Sequence, residues 1–148
     1  MADPGNGRAV GEPTLTKSQQ ADVSTALVQL YRRFYGRGPT RAKTIFDADV
    51  LTTVLAEIFT TVEETLVDRG RHELVTGVRA AFQEAMRHEF IATVEARTGR
   101  EVEAFTSGVD IAHGIATETF ILVPLPEDPA EPVTAWQPGR SSGRLAPR

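Results

Sequence analysis

The 148-residue sequence contains no cysteine. That excludes disulfides, thiol nucleophiles and cysteine-based zinc sites, and it fits a reducing compartment. Histidine is scarce. His72, His88 and His113 are never four residues apart and form no H-E-x-x-H, so no helical metal site is expected. No apolar run approaches the ~18–20 residues of a membrane-spanning helix. The opening "MADPGNGRAVGEP" lacks the apolar stretch of a secretory signal. The expected place is the cytoplasm, without direct membrane insertion. Positive charge is not in excess either: 16 Lys and Arg stand against 20 Asp and Glu, for a net charge of −4. Nucleic-acid coats work by neutralising phosphates, so no nucleic-acid partner is expected.

Catalytic signatures are also missing. Ser18 and Ser107 have no G-x-S-x-G context, and Glu63-Glu64 sits at a helix start, where carboxylates complement the helix dipole. No constellation supplies a nucleophile, a base and an electrophilic partner together. The expectation is a non-enzyme without a cofactor.

What the chain does contain is enough for one packed domain. Hydrophobic residues make up 41% and charged residues 24%. Residues 1–15 are rich in Gly, Pro and Ala, and residues 124–148 hold six of the nine prolines. Both read as disordered tails around a domain over 16–123. Trp136, in the second tail, is either a short docking anchor or a sporadic aromatic residue.

Thr16 to Gln19 fits a capping box, and Val23, Leu27, Leu30, Tyr31 and Phe34 share one helical face. Gly36 and Pro39 end that helix, expected at 17–35. A β-branched run broken by "DAD" predicts a hairpin with strands at 40–47 and 49–59. Both faces of the second strand are largely apolar, which predicts a central strand or one covered on both sides. Thr61 to Glu64 marks a second helix, stopped by Gly70. A long helix is expected at 71–98, with Leu74, Val78, Ala81, Phe82 and Ala85 as its main stripe and Phe82 in the core. Phe90, Ile91 and Val94 fall nearly opposite, which suggests a two-fold homodimer contact there. Two more strands follow, near 102–107 and 116–123, with Asp110 and His113 in the turn between them. The order α-β-β-α-α-β-β implies an α+β fold, with a four-stranded, mainly antiparallel sheet and helices on one face.

The segment "YGRGPTRAKTIF" raises the one ligand question. A phosphate loop of the G-x-x-x-x-G-K-[ST] kind leaves a strand and opens a helix. This segment leaves a helix and enters a strand, and it lacks the Lys-Ser/Thr pair. It reads first as a helix stop followed by a strand start. The alternative is a small-anion sensor, with Arg33, Arg37, Arg41 and Lys43 around backbone N–H groups freed by glycine.

Three stretches, "YRRFYGRGPTRAKTIFDADVL", "VEETLVDRGRHELV" and "EARTGREVEAFTSGVDI", carry a resemblance. Residues 17–123 resemble the MpsC domain family, long a domain of unknown function and linked to a sodium-translocating, membrane-potential-generating system. The resemblance implies a small accessory or regulatory module beside a membrane cation or inorganic-carbon transport complex. Its partner would be a multi-span transporter subunit, holding it peripheral to the inner membrane. No catalytic set carries over from it.

Overall fold

A computed structural model describes residues 14–126. Trp136 and most of both presumed tails lie outside the described residues. The elements run α1 (Lys17–Tyr35), β1 (Arg41–Asp47), β2 (Val50–Ala56), α2 (Thr61–Asp68), α3 (His72–Ala85), α4 (Arg87–Thr98), β3 (Val102–Asp110) and β4 (Ile115–Leu122). The four strands form one antiparallel sheet in the order β1-β2-β4-β3. This is the expected α+β fold, and β2 is central as expected.

Local chemistry sets the element ends. In α1 the Thr16 hydroxyl accepts from the Gln19 N–H while the Gln19 side chain accepts from the Thr16 N–H. Gly36 closes α1 in the left-handed conformation, φ 73°. The corner "YGRGPTR" is thus a helix stop and a strand start. The second capping box belongs to Thr60 and Glu63, one residue earlier than the spacing suggested. In the β1–β2 hairpin, Ala48 and Asp49 both take positive φ, 44° and 68°. This matches the turn type whose twist suits paired strands. The Asp49 carboxylate accepts from Arg100 at 2.6 Å, and Arg100 also donates to the Val123 carbonyl. The tight turn is therefore tied to the start of β3 and the end of β4, at the same end of the sheet.

One face of the sheet carries the core. Leu51 and Leu55 of β2, Ala116, Phe120 and Leu122 of β4, and Phe105 of β3 pack beneath Val23, Leu27, Leu30 and Tyr31 of α1 and Phe90 and Val94 of α4. Leu15, assigned to the tail, belongs to this core. Rings run through it in sequence: Tyr31 meets Phe90 edge-on at 5.8 Å, Phe90 stacks on Phe105 at 5.7 Å, and Phe105 stacks on Phe120 at 4.7 Å. The β2 faces alternate as expected, but among the described residues only the Leu51–Leu55 face is covered. Val50, Thr52, Val54 and Ala56 lie half-buried on the other side.

Two expectations are corrected. The long helix is two helices, because Met86 leaves helical geometry at φ −96°, ψ 4°. The break changes the phase. The buried face of α3 is Val75, Arg79 and Gln83, whereas Leu74 and Val78 are exposed and Phe82 packs half-buried at the core edge. An apolar-only reading placed the stripe one residue early, because two of the three inward positions are polar. The break also removes the dimer patch. Phe90 and Val94 are 1% and 0% exposed, covered by α1 and the sheet of the same chain, and Ile91 packs half-buried against that core.

Candidate functional site

The inward face of the sheet changes character at Glu118. This residue shares the core face of β4 with Ala116 and Phe120, yet it is a carboxylate with no exposed surface. The Tyr31 hydroxyl donates to Glu118 Oε1 at 2.5 Å, and Gln83 Nε2 donates to the same oxygen at 2.9 Å. Burial pushes the Glu118 carboxyl up to about 7, with hydrogen bonds from Tyr31 and Gln83, the neighbouring Ser107 hydroxyl and the nearby Arg79 charge partly opposing it. Burial and the adjacent carboxylate also raise the Tyr31 phenol far above its ordinary value, so it remains a donor.

A second charged pair lies beside this one. Arg79 is 1% exposed. Its Nε and Nη2 hold the two Glu63 oxygens at 2.6 and 2.8 Å, and Nη2 also donates to the Ile58 carbonyl at 2.8 Å. Burial opposes charge on both partners. The two-pronged pairing outweighs it, leaving Glu63 lowered and Arg79 raised. Glu63 thus has two tasks, capping α2 through Thr60 and neutralising Arg79. The guanidinium lies 4.2 Å from the Tyr35 ring, and burial pushes the Tyr35 phenol up to about 12.

A cleft of about 340 Å³ between α3 and β3 borders the two groups at Arg79 and Gln83. Arg79 and Gln83 line it from the helix, and Ser107, Gly108 and Val109 line it from the strand. Arg87 closes one side and donates to the Phe105 carbonyl at 3.0 Å. Four buried polar atoms of the network have no protein partner: Tyr35 Oη, Arg79 Nη1, Gln83 Oε1 and Glu118 Oε2. The cleft therefore borders both donors and acceptors, beside a carboxyl whose proton is exchangeable near neutral pH.

The residues singled out from sequence lie elsewhere. The four basic candidates do not converge. Arg33 lies over the Phe34 ring, 5.1 Å from its centroid, Arg37 meets Glu64 at 3.7 Å in an exposed pair, and Arg41 and Lys43 sit on the outer face of β1. Arg37 also borders a second cleft of about 440 Å³, lined by the carboxylates Glu57, Glu64 and Asp68, a poor setting for an anion. His113 bonds Asp110 at 2.8 Å in the β3–β4 turn, as the spacing suggested.

The family described as the Na+-translocating membrane potential-generating system (MpsC) matches residues 16–123. The chain belongs to the MpsC family. No curated protein and no solved structure matches it. The MpsC match runs from the N-cap of α1 to the residue after β4, so it covers the whole sheet and all four helices. Among the described residues, no helix is long and apolar enough to cross a membrane.

Sequence reasoning missed Glu118, Gln83, Arg79 and the role of Tyr31. One signal could have found the first. Strand alternation puts Glu118 on the side of Phe120 and Leu122, and an inward carboxylate is costly unless it is bonded.

Proposed function

We propose that this chain is a non-catalytic accessory or regulatory module of a membrane system that moves cations, held at the membrane from the cytoplasmic side by a multi-span subunit. The observation that carries this reading is the family match over the entire described fold. The site adds a physical basis for regulation. Glu118 changes charge near neutral pH while held against two helices by Tyr31 and Gln83, so its protonation alters the contact between α1, α3 and the sheet. The small-anion reading of the basic corner is not carried forward, because Arg33, Arg37, Arg41 and Lys43 do not face one point.

The test is deletion of the chain from its host, followed by membrane-potential and growth measurements at rising sodium. The reading predicts weaker sodium-dependent potential and lower sodium tolerance, both restored by the wild-type chain. It also predicts recovery of the chain with the membrane fraction only while the transporter subunit is present. Unchanged potential and tolerance in the deletion strain would sink the reading.

A further inference from the structure

The sheet has two edges, and they differ. The order β1-β2-β4-β3 puts β1 and β3 outermost. Edge strands are normally guarded, because their free N–H and C=O groups invite pairing. β1 carries Arg41, Lys43 and Asp47, and α1 leans on it, with Ser24 Oγ 2.7 Å from Thr44 Oγ1. The stretch of β3 over 104–109, "AFTSGV", has no charge at all. The register shows which of its backbone groups face outward. The Leu122 N–H donates to the Asp49 carbonyl, so even-numbered residues of β4 turn their backbone groups toward β2. Odd-numbered residues then bond β3, where they pair with Ala104, Thr106, Gly108 and Asp110. Phe105, Ser107 and Val109 are left with backbone groups pointing away from the sheet. Arg87 accordingly reaches the Phe105 carbonyl from outside, at 3.0 Å. Among the described residues, no hydrogen bond takes up the outward groups of Ser107 or Val109.

The cleft adjoins this open edge. Ser107, Gly108 and Val109 form its strand side, and the small side chains of Thr76 and Ala80 form part of its helix side. Thr106, Ser107 and Gly108 are exposed. Gly108 is not in the left-handed region, so no turn asks for glycine there. A bare position inside a strand leaves room for another backbone. Two buried residues that line the cleft each keep a polar atom without a protein partner: Arg79 Nη1, a donor, and Gln83 Oε1, an acceptor. Buried groups left so are costly, and an occupant that pairs with both removes the cost. An extended peptide offers what both places lack. Its N–H and C=O groups suit the outward groups of Ser107 and Val109, and every second side chain points to the helix side. Glu63 already neutralises Arg79, and Glu84 shares the lining. An uncharged carboxamide or hydroxyl therefore suits the cleft better than a carboxylate.

We propose that β3 accepts an extended peptide segment of a partner protein as a fifth strand, with an uncharged hydrogen-bonding side chain of that segment in the cleft beside Arg79 and Gln83. The proposal asks only for an extended segment, so it is independent of the membrane reading above. Selection of phage-displayed random eight-residue peptides on the full chain tests it. Enriched peptides are expected to carry Asn, Gln, Ser or Thr at one fixed position and to shift the backbone N–H signals of Ser107 and Val109 in an NMR titration. Methylating the peptide's backbone nitrogens one at a time is expected to weaken binding about tenfold at every second position and little between, because only alternate N–H groups of an added strand face β3. Ser107→Pro removes an outward N–H and no bond of the sheet. It is expected to weaken binding about tenfold, with an unchanged far-ultraviolet circular dichroism spectrum. The methylation series decides the matter on wild type should that variant fail to fold. No enriched peptide, signal shifts away from β3, or a methylation series without the alternation overturns the proposal. So does a wild-type dimer in sedimentation equilibrium that Ser107→Pro dissociates, since a second copy would then hold the edge. An apolar residue at the fixed position overturns the assignment of the cleft side chain.

Discussion

Two ends of one buried layer differ in what holds them. Under α4, Phe90, Phe105 and Phe120 stack directly and α4 sits on β3. Under α3, the inward side chains include Arg79 and Gln83, which hydrogen-bond Glu63, Tyr31 and Glu118 beside a cleft. The apolar end is held by area removed from water, which varies little with pH. The polar end is held by paired charges and by a carboxyl poised near neutral, so its contribution depends on pH. The difference teaches where a fold can respond to its surroundings without giving up its core.

The sharpest contrast pairs one variant at each end. Phe90→Ala should cost ~3–5 kcal/mol in denaturant unfolding, with little change between acid and neutral pH. Arg79→Ala should also cost ~3–5 kcal/mol at pH 7, because it leaves Glu63 buried without its partner. That deficit should shrink toward pH 4 as Glu63 takes a proton. Equal pH dependence in the two variants would break the comparison.

A smaller effect isolates Glu118. Its folded value of about 7 lies above the ordinary 4.5, so the folded state binds the proton more tightly. Its contribution is therefore fully present below about 4.5 and lost as pH rises through 7. A shift of this size corresponds to roughly 3 kcal/mol at most. Glu63, lowered in the folded state, works in the opposite sense and only at lower pH. Glu118→Gln keeps an acceptor for Tyr31 and Gln83 and should flatten the decline in wild-type stability between pH 5 and 8. A decline as steep in the variant would place its cause elsewhere.

The smallest effect tests the helix phase. Val78→Lys, at a 62% exposed position, should change stability by no more than ~0.5 kcal/mol, while Val75→Lys, at a 1% exposed position, should unfold the domain. Thermal melts of the two variants decide it.

These residues also mark what the sequence made legible. Caps, hairpins and strand alternation were readable because each rests on local geometry: Thr16 with Gln19, Gly36, and the turn at Asp47–Asp49. The phase of α3 was not, because apolar periodicity assumes that inward residues are apolar, and here Arg79 and Gln83 point inward. The Phe90–Val94 face was misread for a related reason. Without the break at Met86 it falls opposite the α3 stripe, and with the break both α3 and α4 face the same core. The basic corner looked like a site because its cations are close in sequence, but the turn from α1 into β1 sends them in different directions. The real cluster draws on five separate elements or their flanks, so no local window holds it.

The central claim is that the polar end of this core contains a buried carboxyl that exchanges its proton near neutral pH. Its most direct test is the side-chain carboxyl carbon shift of Glu118, followed by NMR from about pH 4 to 9 and assigned by its loss in Glu118→Gln. The account predicts a midpoint near 7. A midpoint in the ordinary carboxylate range, near 4.5, would contradict it.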